Sequence, residues 1–230
     1  MRLFKSNLLF RVFIYLTFLS FPALVTAQGV DPGKWKKAML DFDKRDQVEQ
    51  VRPGANLFVG SSSITNWKDI ANYFDNVYII NRGFGGSRFK DLIYFYDRVI
   101  TPYKPSKIFI YEGDNDIAGG MTPREVMKEA RLLREKIAKD FPGTPVVFIS
   151  VKPSVSRWRL RKEYTKFNKS LKKFANRTPH TAYADVWTPM LAENGIVRND
   201  IFLKDNLHMK PEGYKIWQKV LEPYLVLKKD

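Results

Sequence analysis

Lys107-Ile108-Phe109-Ile110-Tyr111 is an almost unbroken apolar run, and it stops at Glu112-Gly113-Asp114-Asn115-Asp116. A strand with no polar alternation is one covered on both faces, the usual state of a strand in a parallel sheet. Pro145-Val146-Val147-Phe148-Ile149 reads the same way, and so does Asn56-Leu57-Phe58-Val59-Gly60. Working outward, strands are predicted at 56–60, 76–81, 107–112, 145–151 and 181–185. Helices are predicted at 34–49, 64–74, 88–100, 123–140, 157–176 and 211–227. Strands alternating with amphipathic helices make βαβ units. The expected fold is therefore α/β, a three-layer α/β/α sandwich around a parallel five-stranded sheet. Ligands in such sheets bind beyond the carboxyl ends of the strands.

The loops at those ends carry the unusual residues. Gly60 leads into Ser61-Ser62-Ser63, where a strand turns into a helix. Any of the three serines is a candidate nucleophile, although a serine at a helix start, taken alone, is more often a cap. Asn81-Arg82-Gly83-Phe84-Gly85-Gly86-Ser87 has three glycines in four positions, which let backbone N–H groups approach a ligand. It fits neither the dinucleotide fingerprint nor the P-loop. Glu112 to Asp116 reads as a turn whose acids serve as caps and anchors; no metal and no cofactor is expected. The chain has two histidines. His208 follows Asp205 by three residues, so the acid can orient the imidazole as a general base. His180 has no acid at such spacing and reads as an ordinary turn residue.

Taken in order, these four segments resemble the SGNH hydrolases, the GDSL-type lipase/acylhydrolase family, in its acetylhydrolase-like branch. The resemblance spans residues 56–215. It implies Ser62 as nucleophile, Asp205 and His208 as its partners, and an oxyanion hole from Ser62, Gly86 and Asn115. The aspartate of the family's Gly-Asp-Ser signature is Ser61 here. The resemblance selects Ser62 from the three serines, and the absence of a G-x-S-x-G elbow disfavours the α/β-hydrolases. It implies a serine esterase acting on short acyl groups such as acetyl, on a small-molecule or carbohydrate ester. The competing reading is a catalytically idle module of the same fold that binds glycans.

Arg2 and Lys5 precede an apolar stretch from about Leu8 to Leu24 and then Val25-Thr26-Ala27, the pattern of a signal peptide. Cleavage is expected after Ala27, leaving one domain over 28–230, exported to the periplasm or beyond, with no membrane span retained. The net charge is +15; Arg2, Lys5 and Arg11 supply three of these charges, so the mature chain would carry +12. For an exported protein this favours an anionic polysaccharide or envelope surface over nucleic acid as a partner. Nine Lys and Arg residues lie between Arg157 and Arg177 against the single acid Glu163, with Leu160, Tyr164, Phe167, Leu171 and Phe174 at helical spacing. One buried stripe and a cationic outer face are expected. Most aromatics, among them Phe89, Tyr94, Phe95, Tyr96 and Trp217, are assigned to the core; Trp67, Phe84 and Trp158, near the site loops, are candidates to flank a sugar or acyl chain, with core packing the favoured reading for each. There is no cysteine, so stability has to come from packing.

Overall fold

The computed structural model describes residues 29–49 and 51–228; the expected leader lies outside them. Five strands, β1 (Asn56–Gly60), β2 (Ile79–Gly83), β3 (Lys107–Tyr111), β4 (Val146–Ile149) and β5 (Thr181–Ala184), form one sheet in the order β2-β1-β3-β4-β5. Every pairing is parallel, as the apolar strands predict. This is the doubly wound arrangement, in which chain order reverses between β1 and β3 and a crevice opens beyond their carboxyl ends.

Because successive strand side chains point to opposite faces, each strand feeds two cores. Leu57, Val59, Ile108, Ile110 and Phe148 face one layer. It contains α1 (Lys36–Val48), α3 (Phe89–Tyr94), α4 (Tyr96–Val99), α6 (Pro123–Asp140) and α7 (Arg161–Ala175). Phe58, Phe109, Tyr111, Val147 and Ile149 face the other, against α2 (Ser62–Thr65) and α8 (Pro211–Leu221). Here Trp217 is fully buried beside Tyr111 and Trp67, with ring centroids 5.0 and 6.1 Å away.

The predicted elements are all present, but several are shorter. The expected helix 64–74 is α2 followed by a 3-10 turn at Ile70–Tyr73. Asn81 of β2 donates its amide to the carbonyls of Ile64 and Trp67, satisfying the early helix end from across the sheet. The helix expected over 88–100 breaks at Phe95, whose ring packs edge-on against Trp35 and Phe84. α8 ends at Leu221 instead of 227: Pro223 has no N–H to continue the α-helical bonding, and the chain tightens into a 3-10 turn at Glu222–Tyr224. β2 begins three residues late, and Val77 pairs instead with Leu227. The acidic segment expected as a turn contains a short helix, α5 (Asp114–Ala118).

Arg82 of β2 is 1% exposed and is held by Asp46 and Glu49 at the end of α1 and by the Tyr103 hydroxyl. The buried guanidinium is thus neutralised by two partly exposed carboxylates, and the clamp ties the end of α1 to β2. On α7 the buried residues are Tyr164, Phe167, Asn168, Leu171 and Ala175, and the lysines between them are exposed, as the charge pattern predicts. Phe89, Phe95, Tyr96 and Trp217 are core residues, but Tyr94 is 56% exposed. Among the described residues no helix is long and apolar enough to cross a membrane.

Candidate active site

The crevice between β1 and β3 gathers the four motif segments. Gly60 ends β1 at φ +130°, where a Cβ would lie 2.1 Å from the Tyr111 carbonyl oxygen; only glycine lets the chain turn here so close to β3. Ser61 is extended and Ser62 is the first residue of α2. None of the serines is a side-chain helix cap: Ser61, at the cap position, makes no such bond. Ser61 and Ser63 are buried at 1% and 3% exposure, whereas Ser62 faces the crevice.

His208 comes to Ser62 from the far end of the chain. Its Nε2 lies 3.0 Å from Ser62 Oγ, and its Nδ1 lies 2.6 Å from Asp205 Oδ2. Asp205 also shapes its own loop, since Oδ1 accepts from the N–H groups of Leu207 and His208 at 2.9 Å each. Asn206 takes the left-handed conformation between them, which asparagine tolerates. Partial burial works against the Asp205 charge, but these N–H groups and the imidazole bring its pKa down to about 2. It is ionised wherever the imidazole is in use, which favours the proton on Nδ1 and leaves Nε2 to accept from a serine hydroxyl.

Gly86 sits at φ +79° in the glycine loop, and its N–H, like that of Ser62, has no acceptor among the described residues. Asn115, in the first turn of α5, donates Nδ2–H to Ser61 Oγ at 2.6 Å and to Ser87 O at 3.0 Å. The chemistry available is a hydroxyl with a base, a base with an anion, and amide donors beside the hydroxyl.

The surrounding acids act as anchors. Asp116 accepts from the N–H groups of Gly113 and Phe89, tying α5 to α3. Burial raises its pKa to about 7. Burial, reinforced by the Asp116 charge, pushes Glu112 well above the carboxylate range, and Glu112 accepts from the Ser87 hydroxyl behind the glycine loop. Among the described residues no cluster of acids and histidines could hold a metal.

Arg157 overturns part of the expectation for the basic stretch. Instead of joining the cationic outer face it turns inward, with Nη1 donating to Asp114 Oδ1 at 2.6 Å and both Nη1 and Nη2 donating to Asn115 Oδ1 at 3.0 Å. Tyr164 adds a bond to Asp114 at 2.7 Å. Burial alone would raise Asp114, but Lys152 and Arg157 outweigh it and hold its pKa below the usual value. Sequence spacing could not find this contact, because it joins positions 42 residues apart through a non-repeating loop. Trp67 and Phe84 are fully buried, so neither flanks a substrate. Trp158 is partly exposed, stacks on Trp187 and lines a cleft of about 680 Å³ with Val155 and residues of the 192–200 loop. His180 is exposed, at φ 52°.

Lys152 carries no signal in the sequence, yet it too belongs to the site's frame. It is buried at 1% exposure and donates to the Leu207 carbonyl at 2.8 Å, one residue before His208. Burial lowers its pKa to about 8. The unfolded chain keeps this proton to about 10.4. The cost of burying the charge is therefore full below pH 8 and vanishes above the unfolded value. Relative to Lys152→Met, the wild-type protein should gain about 3 kcal/mol of stability between pH 8 and 10.4, measured by urea melts of both proteins. A gap that does not change with pH would show that Lys152 is not buried with its charge.

The chain matches the model of the GDSL-like Lipase/Acylhydrolase family over residues 54–216 and belongs to that family. It is thus an enzyme, a hydrolase acting on ester bonds. Similar solved structures include a Streptococcus pneumonia protein provisionally described as a platelet activating factor, with 20% identity and a TM-score of 0.75 over 84% of this chain and 94% of that one. A GDSL-like lipase from Bacteroides thetaiotaomicron aligns at 18% identity and a TM-score of 0.64, over 81% of this chain and 97% of that one. A lipase/acylhydrolase from Enterococcus faecalis aligns at 17% and 0.58, over 76% and 100%. At these identities the likeness is one of fold. No curated protein matches the chain.

Proposed function

We propose that the protein is an exported serine esterase that removes short acyl groups, acetyl above all, from a carbohydrate or cell-wall glycan. The observation that carries this reading is the continuous relay from Ser62 Oγ through His208 to Asp205. His208 takes the hydroxyl proton as Ser62 Oγ bonds to the ester carbonyl carbon. The carbonyl oxygen becomes an oxyanion and receives N–H groups from Ser62, Gly86 and Asn115, taking over the Asn115 donor that rests on Ser61. When the C–O bond to the alcohol breaks, His208 returns the proton to the leaving oxygen. Water, deprotonated by His208, then attacks the acyl-enzyme, and the acid departs with Ser62 restored.

Export is supported by the basic, apolar and small-residue order of residues 2–27. The cleft beside Trp158 supports a carbohydrate substrate, since an apolar aromatic edge bordered by Glu193 and Asn199 offers both a packing surface and acceptors for hydroxyls. The lysine-rich face of α7 supports attachment to an anionic polysaccharide or envelope. The protein beginning at Gln28 should hydrolyse para-nitrophenyl acetate and react with a fluorophosphonate at Ser62, as read by peptide mass. Absence of both turnover and labelling would sink the reading and leave an idle, glycan-binding member of the fold.

A further inference from the structure

Lys34 lies outside the matched family region, twenty residues before its start, yet the fold delivers it to the mouth of the crevice. A Cβ placed on Gly86 would lie 3.7 Å from Lys34 Nζ, and one placed on Gly85 would lie 3.9 Å from Ser62 Cβ. The ammonium, the glycine loop and the serine are thus consecutive neighbours. The position is built. Asp31 caps the 3-10 turn Pro32–Trp35 by accepting from the Gly33 N–H at 2.9 Å. Trp35, 6% exposed, donates Nε1–H to the Gly85 carbonyl at 2.9 Å and packs edge-on against Phe84 and Phe95. Lys34 lies over the Trp35 ring at 4.2 Å and is itself exposed. Among the described residues no carboxylate is within ion-pair distance of it; the acid it influences, Asp91, is buried and accepts from the Arg88 N–H.

The Lys34 ammonium thus stands over Trp35 and beside the proposed oxyanion loop, open to solvent and to a bound substrate. We propose that Lys34 is a specificity-determining residue that binds a negatively charged group on the substrate, so that the enzyme prefers an anionic ester to its neutral counterpart. This rests on the esterase reading and adds the substrate's charge to it. An exposed ion pair of this kind supports up to roughly tenfold discrimination. The exposed position means that salt should weaken it.

The test compares kcat/KM within two pairs of esters: para-acetoxybenzoate against its methyl ester, with the charge on the alcohol side, and mono-para-nitrophenyl glutarate against its methyl ester, with the charge on the acyl side. The wild-type enzyme should prefer the charged member of at least one pair. Lys34→Met should reduce that preference about tenfold and Lys34→Glu about a hundredfold, and half-molar salt should shrink it only where Lys34 is present. A preference equal to wild type in both pairs overturns the proposal. So does an equal loss on charged and neutral members, which would make Lys34 a contributor to the oxyanion or to the fold. A wild-type protein that hydrolyses none of the four esters strikes the esterase reading itself, and the proposal falls with it.

Discussion

Ser62→Ala should take hydrolysis of para-nitrophenyl acetate to background, and His208→Ala should do the same. Each loss is expected on the order of 10⁴- to 10⁶-fold in kcat, the range seen when a residue that acts as part of a unit is removed. The double variant should be no slower than either single one, because a base without a nucleophile has nothing to deprotonate. The neighbouring serines set the control. Ser63 is 3% exposed, so Ser63→Ala leaves turnover in place. Ser61→Ala removes an acceptor from Asn115 and changes the rate by less than ~10-fold, the scale of one hydrogen bond. Steady-state rates across these five proteins decide the matter. Activity that survives Ser62→Ala and disappears in Ser61→Ala would relocate the nucleophile and break the relay described above.

Much of this site is legible in the amino-acid sequence. Strand identity can be read because buried parallel strands are apolar throughout, and the order of strands and helices implies the sheet. Asp205 and His208 stand out because three-residue spacing lets the acid cap its own loop and still reach the imidazole. The choice of Ser62 over Ser61 and Ser63 is not readable from local pattern, since all three fit a helix start; it comes from the family resemblance, and the fold brings the imidazole to Ser62 alone. Arg157 and Lys34 are hidden because a cation in a basic segment looks like a solvated charge, and Lys152 because a lone lysine just after an apolar strand looks like the strand's solvated end; only tertiary placement shows that Arg157 and Lys152 face inward and that Lys34 stands near the glycine loop. For Trp67 and Phe84 the sequence leaves substrate contact open beside the favoured core reading, and packing decides it by burying both.

Asn115→Ala should lower kcat by about 10²- to 10³-fold while moving KM by no more than a few-fold, the pattern of a donor used only when charge develops on the carbonyl oxygen. Asn115→Asp should be at least as damaging, because a carboxylate there repels the oxyanion. The amide works only in one orientation. Its two ends differ chemically, and a flip would aim Oδ1, an acceptor, at the substrate oxygen. Arg157 prevents this by placing two N–H groups on Oδ1, one from Nη1 and one from Nη2, and its direction is held because Nη1 also donates to Asp114, itself fixed by Tyr164. Arg157 is therefore a positioning residue. Arg157→Lys keeps the charge beside Asp114 but loses the two-pronged grip, and should cost roughly tenfold in kcat with little change in KM. The decisive measurement is the double variant. If Arg157 acts through Asn115, then Arg157→Lys costs nothing further once Asn115 is alanine. If the two losses multiply, Arg157 serves the reaction, or the fold, by some other route.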